Sequence, residues 1–214
     1  SFSDKKWPKT HPAAGDPVVL RDYQVEIINK FLENPQSIQE VATGSGKTIM
    51  TAALSQRVES FGRSIVIVPN KSLVTQTEKD YINMGLDVGV FYGDRKEFDH
   101  QHTICTWQSL NALFKNTKNQ TAEISIGEFL EGVICVIVDE VHSAKADALK
   151  TLLTGAMGHI PIRWGLTGTV PKEDYAYQAL HVSLGTVESK LSASELQERG
   201  VLANCHVKIV QMLD

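Results

Sequence analysis

A chain of 214 residues, 42% hydrophobic and 21% charged, carries enough apolar material for one sizeable core, and two compact domains would be a squeeze. No apolar run approaches the ~20 residues of a membrane-spanning helix, and the opening residues contain no apolar signal segment, so a soluble protein without membrane contact is expected. A formal charge of −4 argues against bulk electrostatic coating of nucleic acid and leaves room for a local phosphate-contacting track. The three cysteines, Cys105, Cys135 and Cys205, are isolated and lack C-x-x-C spacing. Neither a disulfide framework nor a zinc site is indicated, and a reducing cytoplasm is the expected location. The chain starts at Ser1 without an initiator Met, as a processed or excised polypeptide would.

Residues 1–17 hold Pro8, Pro12, Pro17 and Gly15 with little periodicity and read as an extended arm or linker. The first periodic element covers 20–32, where apolar residues 20, 23, 27, 28, 31 and 32 fall at helical spacing before Asn34-Pro35 stops it. A short strand-like segment, 38–41, then runs into Ala42-Thr43-Gly44-Ser45-Gly46-Lys47-Thr48, and a helix-compatible stretch follows. Strand, glycine-rich loop and helix in that order form a phosphate loop: backbone N–H groups around Thr43, Gly44, Ser45 and Gly46 converge on phosphate oxygens. Lys47 reaches the β/γ-phosphates and the Thr48 hydroxyl binds Mg²⁺. Val41 stands where the general pattern has its first glycine, which marks a subtype.

Further apolar runs at 64–68, 88–92, 102–105, 133–138 and 162–166 read as strands, several of them buried on both faces, and helical segments alternate with them. Residues 116–122 read as an exposed loop. The alternation predicts an α/β fold with a mostly parallel sheet flanked by helices, its ligand site beyond the carboxyl ends of the strands. Asp139-Glu140-Val141-His142 follows the 133–138 run directly. Two adjacent carboxylates at a strand end are expensive to bury without a cation, so Asp139 is expected to hold Mg²⁺ and Glu140 to accept a proton from the water attacking the γ-phosphate. Gln24 carries an amide that donates and accepts at once, matching the N6/N7 edge of adenine.

Taken together, Gln24, residues 42–48, Asp139-Glu140-Val141-His142 and Thr167-Gly168-Thr169 resemble, in order, the Q motif and motifs I, II and III of a superfamily 2 helicase. Residues 69–76 resemble motif Ia. Thr106-Trp107-Gln108-Ser109-Leu110 resembles motif Ib in the form found among UvsW/XPB-like branched-DNA helicases. The resemblance implies a RecA-like P-loop NTPase lobe over residues 18–205, using ATP and Mg²⁺, with residues 206–214 leading to a second RecA-like lobe. It further implies that Arg21 and Gln24 recognise adenine, and that His142, Thr167 and Thr169 link the nucleotide state to the DNA face. Asn70, Lys71, Thr106, Trp107 and Gln108 would contact nucleic acid. The implied partner is duplex or branched DNA, possibly single-stranded, in a bacterial or phage-infected host cytoplasm. A lobe without its partner, and so without the arginine finger across the cleft, would hydrolyse ATP weakly. Other readings stay open: the motor subunit of a restriction enzyme, an RNA helicase, or a nucleotide-gated binding module without productive turnover. A GTPase is disfavoured because no Asn-Lys-x-Asp motif is present.

Overall fold

The apolar runs assemble into an eight-stranded sheet in the computed structural model, which describes residues 6–7, 18–41, 46–121, 124–140, 155, 157–168 and 186–191. In chain order the elements are β1 (Lys6–Trp7), β2 (Val18–Val19), α1 (Asp22–Glu33), β3 (Gln36–Val41), α2 (Lys47–Val58), β4 (Arg63–Val68), α3 (Lys71–Asn83) and β5 (Val88–Tyr92). There follow β6 (Arg95–Lys96), β7 (His102–Thr106), α4 (Trp107–Lys118), α5 (Ile126–Phe129), β8 (Val133–Val138), β9 (Ile162–Thr167) and β10 (Thr186–Leu191). The sheet order is β10-β3-β9-β8-β4-β7-β5-β6, with every pairing parallel except β5 with β6. β1 and β2 form a separate antiparallel pair.

Strand periodicity sorts the core into two layers. Val66, Val68, Ile104, Cys135 and Ile137 belong to one apolar cluster with Phe31, Met50, Leu54 and Tyr81 of α1, α2 and α3. Their sequence neighbours Ile65, Ile67, Cys105, Val136 and Val138 belong to the other, with Leu110 and Leu113 of α4 and Phe129 of α5. Successive side chains on a strand point to opposite faces, so a run that is apolar at every position must be covered on both sides. This is why 64–68 and 133–138 read as unbroken hydrophobic segments. Helix α2 packs between α1 and α3 with small residues, Ala52, Ala53 and Ser55, on its buried sides. Cys105 and Cys135 are fully buried, and burial pushes both thiols well above their ordinary range, so they act as small apolar side chains. Cys205 lies outside the described residues.

Several boundaries differ from the sequence expectation. Helix α4 continues through Lys118, taking in the first part of the stretch read as a loop at 116–122. Its last turn carries Lys115 and Lys118, which complement the negative end of the helix dipole. Strand β3 starts two residues earlier than expected, at Gln36, and strands β6 and β10 and the short helix α5 have no counterpart in the periodicity reading. Among the described residues no helix is long and apolar enough to cross a membrane.

A buried polar chain ties the amino-terminal edge of the sheet to the helices. Tyr81 of α3 donates its hydroxyl to the Thr51 carbonyl at 3.2 Å and lies 2.5 Å from Ser55 Oγ. Ser64 Oγ is 3.3 Å from Ser55 Oγ and 2.6 Å from His102 Nδ1, and His102 Nε2 lies 2.8 Å from the Glu59 carboxylate. A carboxylate can only accept, so Nε2 carries a proton toward Glu59. Burial holds His102 below its ordinary value, against the opposing pull of Glu59 and Asp87.

Because the folded-state value is depressed, the unfolded chain binds more protons in the window below about pH 6.5, and stability there rises with pH. The thermal midpoint should therefore fall as pH is lowered from about 7 to about 5. His102→Gln should show a shallower fall over the same window by scanning calorimetry; identical slopes would remove His102 as the cause.

Candidate active site

The carboxyl ends of β3, β9 and β8 lie side by side, and the residues that follow them make the site. Gly46 adopts φ +80° as the N-cap of α2, a left-handed conformation that favours glycine. Lys47 and Thr48 then form the first turn of α2, next to the positive end of the helix dipole. From β8, Asp139 emerges almost wholly buried, at 2% side-chain exposure, and Glu140 follows with φ +51°. A left-handed backbone at a glutamate is uncommon and strained, the kind of conformation that persists where surrounding structure over-determines it.

Lys47 bridges the two strand ends. Its Nζ lies 3.7 Å from Asp139 Oδ1 and in contact with the Glu140 carboxylate, and the lysine side chain is only 9% exposed. Burial lowers the Lys47 ammonium from its ordinary value and the negative charge of Asp139 opposes the shift. The Asp139 and Glu140 carboxylates are the anionic groups that face this side chain. Thr167, at the end of β9, is fully buried between the strands that carry the two halves of this cluster.

Gln24 comes from α1. It is 6% exposed, and its Oε1 accepts the Arg21 backbone N–H at 2.8 Å, closing the first turn of the helix. Its amide nitrogen faces Gly46: a Cβ built on that glycine would sit 2.5 Å from Gln24 Nε2. The adenine candidate and Gly46 are thus neighbours, and the glycine serves both the left-handed turn and the close approach. Arg21 itself is exposed at the N-cap of α1.

The residues assigned to nucleic acid sit on the same sheet edge. Asn70 follows β4 and caps α3, its Oδ1 accepting from Leu73 N at 3.0 Å. Thr106 ends β7 and caps α4, its Oγ1 accepting from Ser109 N at 3.3 Å and donating to Ser109 Oγ at 3.1 Å. Both are therefore N-caps with a fold-level duty, a role readable from Asn or Thr just before each helix. Lys71 and Gln108 are exposed. Trp107 is 6% exposed and packs in the cluster of α4 and α5, so it supports this edge from below. Thr43, Gly44, Ser45, His142 and Thr169 lie outside the described residues.

The donor set suits Mg²⁺, which binds through one or two hard oxygen ligands, keeps several waters and takes the rest of its shell from phosphates. A threonine hydroxyl at the first turn of α2 and a buried carboxylate at the end of β8 meet that requirement. One participant escaped the sequence reading: the Thr48 hydroxyl donates to Asp80 Oδ2 on α3. No spacing rule points to a pair 32 positions apart, and only the packing of α2 on α3 brings them together.

Gly46→Ala should destabilise the chain by about 1–2 kcal/mol from the left-handed backbone alone, and further through collision with Gln24. Urea denaturation of Gly46→Ala with and without Gln24→Ala checks this: the double variant should regain the collision part only. Equal stability of the wild type and Gly46→Ala would mean that the loop is not held in this conformation.

A family model described as Type III restriction enzyme, res subunit (ResIII) matches residues 17–172. The chain is 25% identical over 187 residues to the DNA 3'-5' translocase XPB2 of Sulfurisphaera tokodaii, covering 86% of this chain and 38% of that protein. It is 22% identical over 200 residues to the ATP-dependent DNA helicase uvsW of Enterobacteria phage T4, covering 88% of this chain and 37% of that protein. The chain thus spans well under half the length of these two curated relatives. Among solved structures, the UvsW helicase of bacteriophage T4 matches with a TM-score of 0.67 at 17% identity, over 83% of this chain and 62% of that one. The Pyrococcus furiosus Hef helicase domain matches with a TM-score of 0.61 at 18% identity, over 79% and 38%. At these identities the structures speak to a shared RecA-like fold, while the family model covers most of the chain. The chain belongs to the ResIII family, and its relatives support a superfamily 2 helicase of UvsW/XPB type.

Proposed function

We propose that the chain is the ATP-binding motor lobe of an ATP-dependent DNA helicase or translocase that acts on duplex or branched DNA. The observation that carries this reading is the Lys47–Asp139–Glu140 cluster at the carboxyl edge of the sheet, with Asp139 buried and Glu140 partly so, and the capped N-termini of α3 and α4 on the same edge. ATP and Mg²⁺ are the ligands whose charge and donors this cluster complements. Bound Mg²⁺ supplies neutralisation of phosphate charge during transfer, and Thr48 and Asp139 would hold it.

The chain's own residues then divide the work. Lys47, which contacts the Glu140 carboxylate, would hold the phosphates. Glu140 would take a proton from the attacking water. Gln24 and Arg21 would read adenine beside the loop formed by Thr43, Gly44, Ser45 and Gly46. Asn70, Lys71, Thr106 and Gln108 would meet the nucleic-acid backbone, helped by two helix N-termini that favour phosphate, with Trp107 fixing their support. His142, Thr167 and Thr169 would relay the nucleotide state. In domain terms, residues 18–205 would be the lobe, 1–17 an extended arm or linker and 206–214 the start of the connection to a second RecA-like lobe, in the cytoplasm of a bacterium or of a phage-infected host. The match of 86% of this chain to only 38% of the XPB2 translocase supports that second lobe.

Lys47→Ala should abolish ATP binding, whereas Glu140→Gln should retain binding and lower turnover by several orders of magnitude; equilibrium binding and single-turnover hydrolysis separate the two. Hydrolysis should be measured for this chain and for a longer polypeptide carrying a second lobe, with no nucleic acid, duplex or branched DNA, and single-stranded RNA. Strong DNA stimulation confined to the two-lobed form is the expected result. Equal turnover in both, independent of nucleic acid, would replace the motor by a self-contained ATPase.

A further inference from the structure

Thr51 and Thr48, both in α2, spend their hydroxyls differently. Thr51 back-bonds to the Lys47 carbonyl at 2.8 Å, the usual local use of a helical threonine. Thr48 reaches across to α3 and donates to the Asp80 carboxylate. That carboxylate is itself braced, since Gln76 Nε2 donates to both of its oxygens at 3.3 Å one helical turn earlier. Asp80 is half-buried, and among the described residues no lysine or arginine pairs with it, so its negative charge is turned toward α2.

We propose that Asp80 is a positioning residue for the cation site: by accepting the Thr48 hydroxyl proton it turns the lone pairs of that oxygen toward the bound cation. The inference rests on the reading of Thr48 as a cation ligand. A hydroxyl has one proton and two lone pairs, and to serve a cation it must direct the proton elsewhere. Bulk water can take that proton, but a fixed carboxylate does so without an ordering cost at the moment of binding. The anion also makes the hydroxyl oxygen a stronger donor to a divalent cation, as outer-shell carboxylates do for metal-bound histidines. The same helix begins at Asn70 and Lys71, so the support of the cation ligand and the expected nucleic-acid contacts lie on one rigid element.

The test is the Mg²⁺ dependence of binding of a fluorescent ATP analogue to the 214-residue chain, compared with binding in EDTA. Asp80→Ala should raise the Mg²⁺ concentration for half-saturation about tenfold or more, the range typical of outer-shell substitutions, and leave the EDTA affinity unchanged. Asp80→Asn, which keeps an acceptor but loses the charge, should fall between, and Gln76→Ala should give a smaller shift in the same direction. Equal Mg²⁺ dependence of wild type, Asp80→Ala and Asp80→Asn would overturn the proposal, as would an equal loss of affinity with and without Mg²⁺, which marks a packing contact. Thr48→Val separates the two layers of the argument. A raised Mg²⁺ requirement in Thr48→Val with none in the Asp80 variants defeats the positioning role alone; no change in any of them defeats the assignment of Thr48 as ligand as well.

Discussion

A buried ammonium facing two carboxylates is the constraint on which the rest of this molecule depends. Lys47 at 9% exposure and Asp139 at 2% have each lost most of their hydration, a loss that for a lone ion would far exceed anything the core returns. Their separation of 3.7 Å makes the arrangement tolerable, and removing one partner from such a pair typically costs about 3–5 kcal/mol. The charges come from distant points in the chain, so the sheet has to deliver them to one place. It does so by setting β9 between β3 and β8, with all three strands parallel and their carboxyl ends level. Parallel order is thus a requirement of the site as much as of the fold.

The central strands were legible because burial on both faces leaves a signature at every position. Residues 65 and 67 serve one layer and 66 and 68 the other, so none could be polar without leaving an unpaired group in a core. At the margins this pressure fades. β10 lies at one edge of the sheet, and its sequence mixes the charged Glu188 and Lys190 with the apolar Val187 and Leu191, as edge strands do. Such a segment shows neither an unbroken apolar run nor a clean alternation. Helix α5 is a single turn fixed by a capping box, Ser125 with Glu128, and so has too little length for periodicity to show.

The site divides the same way. Residues whose role comes from local backbone chemistry could be read directly: a glycine at φ +80°, a lysine and threonine opening a helix, carboxylates ending an apolar strand. Residues whose role comes from packing could not. The approach of Gln24 to Gly46, the burial of Trp107 and the bond from Thr48 to Asp80 depend on how α1, α4 and α3 lie against their neighbours. Asn70 and Thr106 stand between these cases, since an N-cap is visible in sequence but its side-chain oxygen is then already committed to the helix. Any nucleic-acid contact they make has to use their remaining polar atoms or the backbone N–H groups of the turns they open.

That commitment makes α3 a rigid part. Its start is closed by Asn70, and Tyr81 near its end is fixed to α2 through Ser55 and the Thr51 carbonyl, in a pocket without solvent. Asp80, about 15 Å along the axis from the cap, joins it to Thr48. Among the described residues Asp80 has no ion-pair partner, so this hydroxyl and the Gln76 amide are what hold its carboxylate. α3 is therefore joined to α2 at two points, at Thr48 in its first turn and at Thr51 and Ser55 near its middle. Close-packed interfaces of this kind shift as units, and the helix that faces the expected nucleic-acid track is bolted to the helix that holds the phosphate-loop lysine.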